Sequence, residues 1–243
     1  MVARDLKVRY SQSVLGVVWS LFNPLLMTLV YYVVFTYMLP SGVAKFPVFI
    51  LAGLLPWNYL TATVAGSTSS VTANGHLINR VYFPREVLPV ATLFSHGVNF
   101  VIGLGLLFVF IFAFGVRLGP SVALLPVLAL IQATLMLGLS LLLAAVNVFF
   151  RDTQQLVEVG LLAWFFLTPV IYPLDVIKNA SLRLALQVLN PMASLVAGYR
   201  HVLYQGDLPD PALLGVTALQ AALVLLVGAV VFQRLSPRFA EEI

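Results

Sequence analysis

Apolar runs of near-bilayer width alternate along this chain with short polar interruptions. The runs occupy residues 14–38, 46–71, 90–116, 122–149, 156–171 and 212–232. Crossing the hydrocarbon core takes about 20 predominantly apolar residues of α-helix. The pattern therefore predicts an all-α integral membrane protein with six transmembrane helices in a single transmembrane domain, residues 1–243. Prolines interrupt several runs, at Asn23-Pro24, Pro56-Trp57-Asn58 and Thr168-Pro169. Such breaks are tolerated in lipid where neighbouring helices cover the freed carbonyls. Residues 61–72 are rich in Ser, Thr, Ala and Gly, the composition of close helix packing, with a polar pore lining as the alternative.

The interruptions carry the information. Residues 76–89 read His76-Leu77-Ile78-Asn79-Arg80-Val81-Tyr82-Phe83-Pro84-Arg85-Glu86-Val87-Leu88-Pro89. An ordinary connection would use Gly, Ser, Asn and Asp. This stretch is instead mixed apolar and basic, as a short helix lying on a protein surface would be; a basic loop that only obeys topology is the alternative. In residues 1–13, Val2, Leu6 and Tyr10 recur at helical spacing, with Arg4 and Lys7 elsewhere. That spacing predicts an amphipathic interface helix, in which Arg9 would snorkel from the apolar side. Residues 173–211 hold Asp175, Lys178, Arg183, Asn190-Pro191, Arg200, His201, Asp207 and Asp210. So many ionisable groups are costly to bury in lipid, and the segment is long for an unstructured loop. Two short helices that enter the membrane and return satisfy both constraints.

Six spans place both termini on one side. That side holds Arg4, Lys7, Arg9, Arg80, Arg85, Arg151, Arg234 and Arg238; the other holds Lys45, Arg117, Lys178, Arg183 and Arg200. The richer side is expected to be cytoplasmic, and the segment 173–211 then faces outward. Composition agrees: 61% of residues are hydrophobic and 9% charged, with a mean hydropathy of +1.02, against roughly 25% charged in soluble domains. The net charge of +4 follows topology, and without a basic stripe bearing stacked aromatics it is no nucleic-acid signal.

Chemistry is sparse. The absence of cysteine removes disulfides, thiolate metal sites and cysteine nucleophiles. No phosphate loop of the GxxxxGK[ST] type is present, and Gly66-Ser67-Thr68-Ser69-Ser70 lacks the glycines of a hydrolase elbow. His76, His96 and His201 are too scattered for a zinc signature. His96 could relay protons or simply bond to a neighbouring helix. Glu158 could pair with Arg151, and Asp152 is placed to cap the fifth run.

Several pieces, in order, resemble one family: Arg9-Tyr10-Ser11-Gln12-Ser13-Val14-Leu15-Gly16-Val17-Val18-Trp19, Gly53-Leu54-Leu55-Pro56-Trp57, Asn147-Val148-Phe149-Phe150-Arg151-Asp152, Thr168-Pro169-Val170-Ile171-Tyr172, Leu189-Asn190-Pro191 and Tyr199-Arg200. The chain is similar to transmembrane permease subunits of type-2 ABC exporters, in the branch that exports O-antigen, capsule or teichoic acid polysaccharides. The resemblance implies a homodimer with a separate ATPase subunit that holds ATP and magnesium, so that this chain binds no cofactor. It implies a cytoplasmic coupling helix, here drawing on Asn79, Arg80, Tyr82, Phe83, Pro84, Arg85, Glu86, Arg151 and Asp152. It also implies re-entrant outer helices, with Asn190, Pro191 and Arg200 as an outer gate. A polyprenyl-diphosphate-linked glycan would be the cargo, beside membrane lipids, and Tyr31, Tyr32, Phe35, Trp57, Trp164 and Phe165 are candidates to stack on its sugars; lipid contact or an interfacial belt is their alternative role. Export of a small amphiphile or drug, or an intramembrane hydrolase activity, are the rival readings.

Overall fold

The computed structural model describes residues 25–27, 29–30, 32–34, 37, 42–78 and 83–242. The N-terminal interface helix, with Arg4, Lys7 and Arg9, and most of the first expected span lie outside the described residues. So do Tyr31, Phe35, Asn79, Arg80 and Tyr82. Among the described residues every regular element is helical.

Helix α1, Phe46–Thr68, enters with Pro47 in its first turn, where a missing N–H is harmless. It is the central helix: 78% of its most apolar window is buried inside the protein, against 28%, 44% and 17% for the other three long helices. Its interior Pro56 is met from the next layer by Gln132, whose amide Nε2 donates to Pro56 O at 2.7 Å. Thr68 and Ser70 turn their hydroxyls back onto Val64 O and Ser67 O, which lets polar side chains lie buried without an external partner. Helix α2, Val87–Ala113, begins inside the stretch expected to be a connection, with Pro89 in its first turn. Its outward stripe of Phe94, Val98, Val101, Val109 and Phe112 is exposed, and its other face packs on α1 through Tyr59 and Phe100, stacked at 4.9 Å.

A 3-10 turn, Pro120–Leu124, leads into α3, Leu125–Phe149, which pairs along its length with α7, Pro211–Leu235. Glycine makes that pairing possible. A Cβ on Gly138 would fall 2.5 Å from Leu225 N, and one on Gly228 would collide with Gly138 O. The two backbones are therefore in direct contact, the small-residue crossing typical of helices in lipid.

Between them come α4, Thr153–Leu167, α5, Ala180–Leu189, and α6, Pro191–Arg200. With 15 residues, α4 is about 22 Å long, short of the ~30 Å hydrocarbon core. The chain bends by 104° between α5 and the helical segment Pro191–Gln205. Among the described residues, four helices are thus long and apolar enough to cross a membrane, or five if the bent pair is one span. A final turn, α8, Phe239–Glu242, follows the 3-10 turn Ser236–Arg238.

Candidate functional site

The segments around 53, 170, 190 and 200 converge at one end of the bundle. Arg200 closes α6 and is 5% exposed. Its Nη1 donates to Pro169 O at 2.6 Å and Tyr172 O at 3.3 Å, its Nη2 to Val170 O at 2.5 Å, and its Nε to Phe49 O at 3.4 Å. The guanidinium also lies 3.6 Å from the centroid of the Phe49 ring, well inside cation–π range. Three of the acceptors lie in the non-helical turn that follows α4 at Thr168-Pro169, where buried carbonyls outside any helical ladder need donors, and a planar fork of N–H groups supplies several at once. Gly53 leaves the room, since a Cβ there would come 2.9 Å from Arg200 Nη2. The ionisable groups of residues 173–211 thus divide: Arg200 is buried in protein and satisfied by carbonyls and a ring, while Arg183 pairs with Asp175 at 3.0 Å near the surface.

Asn190 is the second knot at this end. Its Oδ1 caps α6 by accepting from Met192 N at 3.1 Å and Ala193 N at 3.3 Å, and it also accepts from Trp164 Nε1 at 2.9 Å. Its Nδ2 donates to Leu167 O at 3.2 Å and Thr168 Oγ1 at 3.0 Å. Pro191 fills the first turn of α6, as suits a residue without an N–H. One side chain therefore fixes both the bend and the end of α4. Deeper in, Trp57 is buried and meets Trp164 edge-on at 5.9 Å and Phe165 at 5.5 Å; Trp164 and Phe165 are half-buried. Tyr32, half-buried, meets the exposed Tyr37 edge-on at 6.5 Å.

The opposite end gathers the other polar interruptions. Asn147 Nδ2 donates to Thr72 Oγ1 at 3.4 Å, joining the end of α3 to the chain leaving α1. Phe83 is half-buried against a cluster of Val71, Leu88, Leu141, Ala144, Ala145, Val148, Phe232 and Phe239. Arg85 is half-buried beside it, Pro84 is exposed and Glu86 half-buried. Arg151 and Asp152 are exposed at the turn from α3 to α4. Asp152 stands at the first position before α4, but its carboxylate makes no capping bond; Thr153 instead turns its Oγ1 onto Phe150 O at 2.6 Å. The expected pair of Arg151 and Glu158 does not form: both side chains are exposed, and Arg183 with Asp175 is the ion pair among the described residues. Three contributors escaped the sequence reading: Gly138 with Gly228, Gln132, and Phe239. Lone glycines and an amide inside apolar runs are the signals that could have found the first two.

The described residues form an all-helical bundle with helices long enough to cross a membrane, and the sequence matches the ABC-2 type transporter family over residues 1–204. The chain belongs to that family. It is 40% identical over 243 residues to the O-antigen export system permease protein RfbA of Myxococcus xanthus, covering 100% of this chain and 94% of that protein. A Klebsiella pneumoniae protein of the same name is 31% identical over 241 residues, covering 98% of this chain and 91% of that protein. The polysialic acid transport protein KpsM of Escherichia coli is 21% identical over 237 residues, covering 95% and 90%.

Proposed function

We propose that this chain is the membrane subunit of an ATP-driven exporter that moves a polyprenyl-diphosphate-linked polysaccharide of the O-antigen class across the bacterial inner membrane. The near full-length similarity to permeases named for O-antigen export carries the reading. ATP and magnesium belong to a separate nucleotide-binding subunit, and the working unit is a homodimer of this chain with that ATPase. The chain's role is transport.

Six spans with both termini in the cytoplasm fit the distribution of lysine and arginine, eight against five. Residues 14–38 would be the first span and α4 with the turn after it the fifth. The end carrying Arg85, Arg151 and Arg238 would then meet the ATPase, while α5 and α6 re-enter from outside and close the mouth through Asn190, Pro191 and Arg200. Tyr31, Tyr32, Phe35, Trp57, Trp164 and Phe165 would border the path of the glycan.

Coupling falls to residues 76–89 with Arg151 and Asp152. Tyr82 and Phe83 have the size of residues that dominate interface energies, and Asn79, Arg80, Arg85 and Glu86 offer polar contacts beside them. Arginine makes strong charge-assisted bonds to partner carboxylates, and Pro84 stiffens the backbone between them. Replacing Tyr82 and Phe83 together by Ala is expected to weaken ATPase binding by about 2 kcal/mol or more, with insertion unchanged, while Arg117→Ala at the other end leaves binding intact. Titrating the ATPase onto permease in nanodiscs reads both. Equal binding by the double variant and the parent would remove the stretch from the interface.

A further inference from the structure

The C-terminal tail reads as polar in sequence, yet Phe239 in it is fully buried. The chain leaves α7 at Leu235 and makes a 3-10 turn at Ser236–Arg238, with Pro237 in that turn and Ser236 Oγ donating to Gln233 O at 3.3 Å. It then folds back so that the Phe239 ring lies 5.4 Å from Phe232 on α7 and 6.2 Å from Phe149 on α3. The same ring faces the guanidinium of Arg85 at 5.8 Å. One side chain therefore touches the end of α3, the end of α7 and the basic stretch that precedes α2, and Phe83 packs against the same cluster. The α3–α7 pair behind it has its backbones in contact at Gly138 and Gly228, so displacement of that end has little slack to absorb it.

We propose that Phe239 is a positioning residue of the transport cycle: it couples movement of the Phe83–Arg85 stretch to the α3–α7 pair, as a wedge between the ATPase-facing surface and the spans. This rests on the reading of residues 76–89 as the coupling segment. The tail has no docking role of its own in this scheme. Its aromatic ring gives Arg85 a cation–π partner and transmits the push through tight packing, because close-packed interiors carry strain with little compression. A leucine at 239 fills much of the volume but offers Arg85 no ring face; a tyrosine keeps the face.

The test uses the full permease with its ATPase reconstituted in lipid vesicles, with Phe239→Leu, Phe239→Tyr and the Tyr82/Phe83 double Ala variant. Three quantities are read: ATPase retained by the permease, ATP turnover, and glycan delivered per ATP hydrolysed. Phe239→Leu is expected to hold the ATPase and turn ATP over within about twofold of the parent, but to deliver at least tenfold less glycan per ATP. Phe239→Tyr should restore delivery to within about twofold. Parent-like delivery by Phe239→Leu would reduce Phe239 to core filling and overturn the proposal. Loss of ATPase binding by Phe239→Leu would also overturn it, by making the tail a docking element. Failure of the coupling reading shows separately, as full ATPase binding by the Tyr82/Phe83 variant.

Discussion

Arg200→Met is expected to lower the stability of the solubilised protein by about 3–5 kcal/mol, because each buried carbonyl left without a donor costs about 1–3 kcal/mol. The native guanidinium serves four carbonyl oxygens, on Phe49, Pro169, Val170 and Tyr172, and lies over the Phe49 ring. Methionine matches its stem and supplies none of the donors. The helix end cannot rehydrate cheaply, since Val170 is fully buried. Arg200→Lys should recover only part of the loss: an ammonium cannot fork between Pro169 O and Val170 O, and it has no plane to lay on a ring. Gly53→Val should resemble Arg200→Met, since its side chain would claim the space of Nη2. Thermal unfolding in detergent, with proteolysis of residues 173–190 as a local probe, checks all three. Stability of the Met variant within 1 kcal/mol of the parent (about a fivefold change in the folded ratio) would mean that the guanidinium network does not hold this end together.

The second large effect is expected at the α3–α7 crossing. Overpacking a tight interior typically costs about 1–3 kcal/mol, occasionally more. At Gly228 the obstacle is the backbone of Gly138, which no rotamer change can move aside. Gly228→Ala should therefore fall within that range, and Gly228→Leu should prevent accumulation of folded protein. Gly215 on the same helix has nothing among the described residues within 4 Å of an added Cβ, so Gly215→Ala should be neutral or slightly stabilising through helix propensity. Fluorescence-detected size exclusion of the tagged variants separates these outcomes. A Gly228→Leu protein that folds like the parent would show that the helices are not in backbone contact.

These two sites mark where the sequence was legible and where it was not. Long apolar helices were readable because lipid demands an unbroken apolar run about 20 residues long, and α1, α2, α3 and α7 have that length and composition. The stretches around Gly53, Thr168-Pro169, Asn190-Pro191 and Arg200 were each visible as punctuation, but their meeting was not. It depends on carbonyls released at one break finding donors from another some thirty residues away, as Arg200 reaches Pro169. The cost of burying charge argued against a full crossing by residues 173–211, and the same rule hid the burial of Arg200, because it is silent about carbonyl partners. Pairing of α3 with α7 had no periodic signature, only two glycines among many. Phe239 was concealed by the polar residues around it, since a tail is read by its average and this one works through a single ring. Asp152 shows the converse: the residue type was right for a cap, and the geometry of the turn gave that task to no side chain.

In the proposed function, ATP hydrolysed on a partner drives a lipid-linked glycan through this chain. Its most direct test is the permease co-purified with the ATPase and sealed into vesicles with a polyprenyl-diphosphate-linked polysaccharide, scored by access of a glycosidase confined to the lumen. Glycan cleavage in the lumen is expected only with ATP, magnesium and both subunits present, and is expected to be lost when a hydrolysis-deficient ATPase is substituted. Cleavage that is independent of ATP, or ATP-driven movement of a small amphiphile with no movement of glycan, would contradict it.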